Sequence, residues 1–390
     1  MRVSILAVML VALAACGSRE STAQAMTDGG PRTSAELGDT ALPPQFALVP
    51  ALGGKLRAPQ GLAVDYYARN LSGVRFMALG PDGAVYATRP GAGEVVRLAD
   101  TNGDGVADDV AAVLTGLDQP HGLAFFRNQL WVANTGQLVK FALGSDGRPR
   151  GAATVVTGYP ARNGHSTRTV IVGPDSMLYV SVGSRCNICE GDVPNRAVVL
   201  QVDAVTGVAR PYAIGLRNAV GLAVHPATKA IWATTHERDN LGDDVPPEEI
   251  DILQDGADYG WPYCWGDRRN NPEYPTATCS GTVPPALMMQ AHSAPLDIAF
   301  LNRATQLRAE YQGDALVAFH GSWNRSVPTG AKVVRVRIRD GKPASYEDFV
   351  TGWQDASGNR WGRPAGLLVL ADGSVLVSDD SGGMILRVHK

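Results

Sequence analysis

The stretch TVIVGPDSMLYVSVG, Thr169–Gly183, holds one complete copy of the unit that decides the fold. Two apolar, β-branched runs flank the turn Gly173-Pro174-Asp175-Ser176, and a polar loop follows. Val, Ile and Tyr favour a pleated, packed strand, whereas Gly, Pro, Asp and Ser favour the turn between. The unit recurs as MALGPDGAVYATRP from Met77, GLAFFRNQLWVANT from Gly122, GLAVHPATKAIWATT from Gly221, DIAFLNRATQLRAEYQGDALVAFHGS from Asp297 and GLLVLADGSVLVSDD from Gly366. Its turns fall near Pro81, Arg127, Pro174, Pro226, Asn302 and Ala371, spaced by 46, 47, 52, 76 and 69 residues. Short strands with regular turn signals and almost no helical periodicity predict an all-β chain. A period in the forties matches one four-stranded blade, so six units predict a six-bladed β-propeller over residues 43–390. A multi-sheet sandwich accounts less well for the even spacing. The two long gaps predict loop insertions, the usual carriers of function on a regular scaffold.

The 390 residues are 45% hydrophobic and 19% charged, with a formal net charge of −3. That supports a large core and gives no basic excess for a nucleic-acid partner. Arg2, the apolar run Ile5–Ala12 and the small residues before Cys16 read as a secretory leader over residues 1–15, too short to span a membrane. Ending on cysteine, it resembles a bacterial lipobox. This implies lipidation of Cys16, a flexible tether over 16–42, and a protein anchored by lipid on the periplasmic side of the cell envelope. In an oxidising compartment the other four cysteines predict two local disulfides, Cys186–Cys189 and Cys264–Cys279. A zinc site would want a second CxxC, which is missing.

In a propeller, polar residues just before or after the apolar runs converge on one funnel mouth. Candidates there are His165, Arg217 with Asn218, His236-Glu237-Arg238-Asp239, His292, His320, Trp323-Asn324-Arg325, and Arg360 and Arg363. So many cations around one cavity call for an anionic guest, because unpaired buried charge is costly. Carboxylates or phosphates are the natural complement of arginine. The bland alternative is that each arginine pairs with a nearby acid.

The stretches NGHSTRTVIVGPD, GLRNAVGLAVHP, ERDNLGDDVPPEEIDIL, DYGWPYCWGD, AFHGSWNRS and GRPAGLLVLADGSVLVSDD resemble the glucose/sorbosone dehydrogenase family over roughly residues 50–390. Those proteins are six-bladed propellers that use pyrroloquinoline quinone (PQQ) with calcium. YGWPYCWG and HGSWNR are most similar to the sorbosone-dehydrogenase-like branch. The resemblance implies that His165 is the general base for the substrate hydroxyl as hydride passes to the quinone. It implies that Arg217 and Asn218 stand beside the reactive carbonyl, and that main-chain carbonyls of Glu237 and Arg238 hold calcium against the cofactor. Arg325 and Arg363 would neutralise PQQ carboxylates, Trp323 would stack on the tricycle or a sugar, and His236 and His292 would complete the cofactor-binding set. Three departures stand out, the first being that His236 occupies a place where an amide side chain is expected. The last motif reads Arg360-x-x-Arg363 in place of an Arg-x-Arg pair, and the clamp lysine has no clear match, its place falling to Arg325.

DTNGDGVADD, Asp100–Asp109, copies the first half of a calcium loop, with Asp100, Asn102, Asp104 and Gly105 in order and Asp108 or Asp109 to close the shell. Ala111 stands where the bidentate Glu belongs. The expected function is an exported PQQ- and calcium-dependent dehydrogenase acting on a sugar, polyol or sugar aldehyde. Cys189 is followed by Glu190, so no CxxCH haem site is present and electrons must pass to an external quinone or cytochrome. The alternatives are a non-catalytic propeller that binds a glycan or protein, and a lactonase-like metal hydrolase, which would need carboxylate ligands from several blades.

Overall fold

The computed structural model describes residues 46–49, 52–161, 163–191 and 194–390. The leader, Cys16, the 16–42 tether and the boundary at residue 43 lie outside the described residues. Beside two short two-stranded ribbons, the described chain forms six blade sheets in sequence, each built on four antiparallel strands. Their innermost strands are Met77–Leu79, Gly122–Phe126, Val170–Val172, Ala219–Val224, Pro295–Phe300 and Pro364–Val369. Each packs against the next, and the last returns to the first. The ring is a six-bladed β-propeller, and the six units read from the sequence are the first two strands of its six blades.

The burial of those strands explains why they read as apolar runs. Leu178–Val182, Ile231–Thr235, Ala315–Phe319 and Val375–Asp379, each the second strand of its blade, are buried at every residue. Neighbouring blades cover both faces, so the sequence does not alternate. The fourth strand lies at the rim, and in Pro149–Gly158 most residues are exposed. Large side chains fill the wedges between blades: Trp232 is fully buried and meets Phe300 edge-on at 5.2 Å.

The Pro-Asp turn has its own chemistry. Asp175 accepts a hydrogen bond from the main chain of Met177 at 3.1 Å and from the Tyr179 hydroxyl at 2.8 Å. In the first blade Asp82 does the same for Ala84 and Tyr86. A side chain on Gly173 would stand 2.2 Å from the Tyr179 ring, so the glycine is required by this close approach.

The ring is closed by the N-terminal part of the chain. Ala63–Ala68 pairs antiparallel with Met384–His389, Val64 opposite Val388, and becomes the outer strand of the sixth blade. The first long gap is an insertion, residues 254–286, between Glu248–Leu253 and Leu287–Met289 of the fourth blade. It lays Ala257–Asp258 parallel to Ala209–Ile214 of the third blade and forms the hairpin Cys264–Trp265/Arg269–Asn270. Cys264 is bonded to Cys279 there, Cα–Cα 5.8 Å. The second long gap is divided between two loops of the fifth blade, 301–314 and 320–331.

Candidate active site

Because the first two strands of a blade are antiparallel, the residues entering the first and those leaving the second share one end of the ring. His165 lies at that mouth. Its Nδ1 is 3.0 Å from the Ser184 carbonyl and 3.2 Å from Ser184 Oγ, while its main-chain N–H donates to the same carbonyl. A carbonyl accepts only, so Nδ1 carries the proton and Nε2 is left as an acceptor. Burial, and then the charge of Arg217, push its pKa down to about 3, which keeps the ring neutral. Buried Arg168 fixes the backbone around it by donating to the carbonyls of His165, Thr167 and Pro160. Gly183 makes room: a Cβ there would stand 2.3 Å from Asn218 Oδ1 and 2.8 Å from His165 Cβ. That Asn218 oxygen is buried and has no partner among the described residues.

Arg217, also buried, is fully engaged by the protein. It donates to the carbonyl of Asn187 at 3.0 Å, to Asn187 Oδ1 at 2.9 Å, to the carbonyl of Glu237 at 2.7 Å and of His236 at 3.4 Å, and to the Asp239 carboxylate at 3.1 Å. Asn187, which sequence reasoning did not single out, ties this corner together. It also accepts from the main chain of Asp239 and from Trp261 Nε1, and donates to the Asp239 carbonyl. Its loop is clipped by the Cys186–Cys189 disulfide, Cα–Cα 6.2 Å. The Glu237 carbonyl expected to hold calcium already accepts from the Arg217 guanidinium, so a divalent cation at its second lone pair would stand close to that positive charge. The Glu237 side chain offers the alternative: it is buried, and its Oε2 has no partner among the described residues. Burial raises its pKa to about 7, against the pull of Arg217. Among the described residues no three His, Cys, Asp or Glu side chains form a ready-made metal cage.

Across the mouth is a cavity of about 400 Å³ lined by Arg75, His121, His320, Arg363 and Asp380 among others, with Ser166 and Thr167 next to His165. Arg363 donates to the carbonyls of His320 at 2.9 Å and Gly321 at 2.8 Å, and among the described residues no carboxylate lies within ion-pair distance of it. Burial, and then the neighbouring Arg360 charge, lower its pKa against the opposing charges of Asp380 and Asp379. Arg360 itself donates to Gln354 and Thr329.

The remaining candidates do not reach this cavity. His236 Nε2 donates to the carbonyl of Pro295 at 2.9 Å and, partly buried, joins the fourth blade to the fifth. His292 contacts the carbonyls of Gly242 and Val245 at 2.9 and 3.2 Å. Arg325, expected on the cofactor, is turned instead to the carbonyl of Asp243 and the carboxylate of Asp244. With Ser326 on Asp243 and Asn324 on Asp239, it stitches loop 321–330 to loop 239–245. Trp323 is 72% exposed at the rim, with no ring partner among the described residues. In the Asp100–Asp109 segment, Asp100 accepts from Gly103, Asp104 and Gly105, and Asp104 from Val106. Asp108 holds Thr101. Asp109 is not part of that shell, because its carboxylate is 2.9 Å from Arg97 on the adjacent strand.

Fold and site together define a six-bladed propeller that presents a neutral imidazole and an unneutralised guanidinium at one mouth. The chain belongs to the TrAA12-like family, whose model matches residues 56–273 and 267–390. It is 28% identical to an uncharacterized protein of Borreliella burgdorferi over 86% of this chain and 90% of that one. It is also 28% identical to the pyrroloquinoline quinone-dependent pyranose dehydrogenase of Coprinopsis cinerea, over 58% of this chain but only 40% of that protein's length. The fold matches the holo form of the PQQ domain of Coprinopsis cinerea pyranose dehydrogenase, TM-score 0.74 at 23% identity, covering 90% of this chain and 99% of that one. It also matches the calcium structure of the Trichoderma reesei Carbohydrate-Active Enzymes Family AA12 protein, TM-score 0.74 at 20% identity, over 89% and 98% of the two chains. The resemblance to PQQ-dependent soluble-type sugar dehydrogenases read from the motifs is borne out.

Proposed function

We propose that this protein is a PQQ-dependent dehydrogenase that oxidises a hydroxyl or aldehyde carbon of a sugar, with calcium as a second requirement. The observation that carries the reading is Arg363, a half-buried cation with no ion-paired carboxylate among the described residues, on a cavity large enough for a small aromatic cofactor. PQQ is a planar polyacid, and its carboxylates supply the missing anion. When bound, it supplies the quinone that accepts a hydride. The chain's own work is to bind and to move protons. Arg363 grips a carboxylate, and Nε2 of His165 takes the proton of the substrate hydroxyl while Ser184 holds the other ring nitrogen. Asn218 lies beside that imidazole, so its unpartnered carbonyl oxygen can orient it or the substrate. For calcium, the unpartnered Glu237 carboxylate and the main-chain carbonyl of Arg238 would supply hard oxygen donors.

The YGWPYCWG and HGSWNR motifs make a sorbosone-like sugar aldehyde one substrate to try beside aldoses and polyols. The leader and Cys16 support a lipid-anchored enzyme outside the cytoplasm, with an external electron acceptor. The engaged Arg217 and Arg325 oppose a simple ring of free cations, yet they leave the Arg363 side of the funnel open.

Titration of the full chain with PQQ, followed by absorbance in 1 mM Ca²⁺ (about that concentration suffices for weak sites), tests the cofactor reading. Wild-type protein is expected to bind one equivalent, and Arg363→Ala to bind about 10- to 100-fold more weakly, the range of one lost charge-assisted pair. Chelation of calcium should weaken wild-type binding as well. Equal affinity in Arg363→Ala would remove the observation on which the reading rests.

A further inference from the structure

Three residues lining the cavity carry a buried polar atom with no partner among the described residues: the donor Nε of Arg75, Nε2 of His121 and the Thr167 hydroxyl oxygen. The tautomer of His121 follows from its other nitrogen, which is 3.1 Å from the Arg168 carbonyl and must donate to it. Nε2 is therefore an acceptor, in a ring that burial keeps neutral. Phe76 packs on that ring at 4.3 Å and fixes its plane. Beside them stands Asp380. Its carboxylate pairs with Arg75 at 2.6 Å and accepts from His320 Nε2 at 3.0 Å. These partners keep it ionised, with a pKa lowered to about 2 despite burial.

A ligand for this wall must offer a donor to His121 and Asp380 and an acceptor to Arg75. A hydroxyl group does both at once. An anionic ligand group does not, since Asp380 would repel it and the Arg75 charge is already matched. The cavity thus divides by chemistry, with Arg363 suited to a carboxylate and the Arg75 side suited to a neutral polyol. Water can serve these atoms in the free protein, and a sugar displaces it with little loss where its hydroxyls replace the same hydrogen bonds.

We propose that Arg75, His121 and Asp380 form a specificity subsite that binds hydroxyl groups of the sugar on the side of the funnel opposite Arg217. This rests on the dehydrogenase reading above and adds to it the residues that choose among sugars. They act on ground-state binding and orientation rather than on the reacting carbon.

The test uses the full chain loaded with PQQ and Ca²⁺, its best sugar substrate, and the monodeoxy analogues of that sugar. Asp380→Asn should raise KM about 10- to 100-fold with kcat changed much less, as loss of a hydrogen bond to a charged group predicts. The wild-type enzyme should discriminate against one or two deoxy positions, and the variant should lose that discrimination at the same positions only. His121→Leu, which keeps the packing on Phe76, is the second variant should Asp380→Asn fold poorly. An unchanged KM, or an unchanged deoxy pattern in both variants, would overturn the subsite. If the wild type turns over no sugar, the dehydrogenase reading fails first. Saturation-transfer NMR with D-glucose and D-xylose then judges the subsite alone: signals lost in both variants uphold it, while signals retained in the variants or absent from wild type overturn it.

Discussion

Replacing His165 by alanine is expected to lower kcat by about 10²- to 10⁴-fold, the usual contribution of a positioned general base, with PQQ still bound. The expectation follows from the tautomer. Ser184 takes the Nδ1 proton, so the side chain arrives at the funnel with one open acceptor and cannot rotate without losing a hydrogen bond. Burial and Arg217 hold it neutral, which a base must be before it can accept a proton. The sign of the pH dependence follows: the base is lost as pH falls through its pKa. The acid limb of kcat/KM should therefore lie below that of a free imidazole, which titrates near pH 6.5. His165→Gln preserves much of the shape without the basicity and should be as inactive as alanine. Activity within about threefold of wild type in both variants would assign the proton to another group, and His320, held by Asp380, would be the first to examine.

Arg217→Met is expected to cost about 3–5 kcal/mol of folding stability, as breaking a buried charge network does. The guanidinium serves the carbonyls of Asn187, His236 and Glu237 as well as Asp239, and methionine fills the volume while answering none of them. The loss should appear as a shifted denaturation midpoint with an unchanged slope. Arg217→Lys should recover part of it, since an ammonium can reach some but not all of these acceptors. A loss under about 1 kcal/mol for Arg217→Met would mean that the loop 236–239 is held by Asn187 alone, and that Arg217 is available to a ligand after all.

The contrast between His165 and Arg217 marks what the sequence makes legible. The propeller was readable because its signal is local. Strands such as Leu178–Val182 are buried by blades on both faces, and they announce it as unbroken apolar runs between turns of fixed chemistry. The mouth was readable for the same reason, as any polar residue at the end of such a run must lie there. Which polar residues face the ligand was not readable. Arg217, Arg325, His236 and His292 have the composition of a cofactor site, but their partners come from distant loops: Asn187 lies 30 residues from Arg217, and Asp243 lies 82 from Arg325. Arginine pairing across such separations leaves no local trace. The opposite error hid Arg75, His121 and Asp380. Each occupies the same end-of-run position as His165, and Asp380 closes the sixth repeat, yet an Asp within SDDSGG reads as a turn residue. Asp109 shows the limit at shorter range. The loop spacing offered it to calcium, but the strand that begins at Asp109 pairs it with Ala99 and leaves its carboxylate 2.9 Å from Arg97, two residues along the adjacent strand.

Dye reduction by the purified chain, with PQQ and Ca²⁺ each added or withheld, across aldoses, polyols and a sorbosone-like aldehyde, decides whether the protein is a PQQ-dependent sugar dehydrogenase. Reduction is expected only when PQQ is present, stimulated by Ca²⁺ and restricted to a subset of the sugars. Sugar-dependent reduction without PQQ, or none with it while PQQ is bound, would rule that activity out.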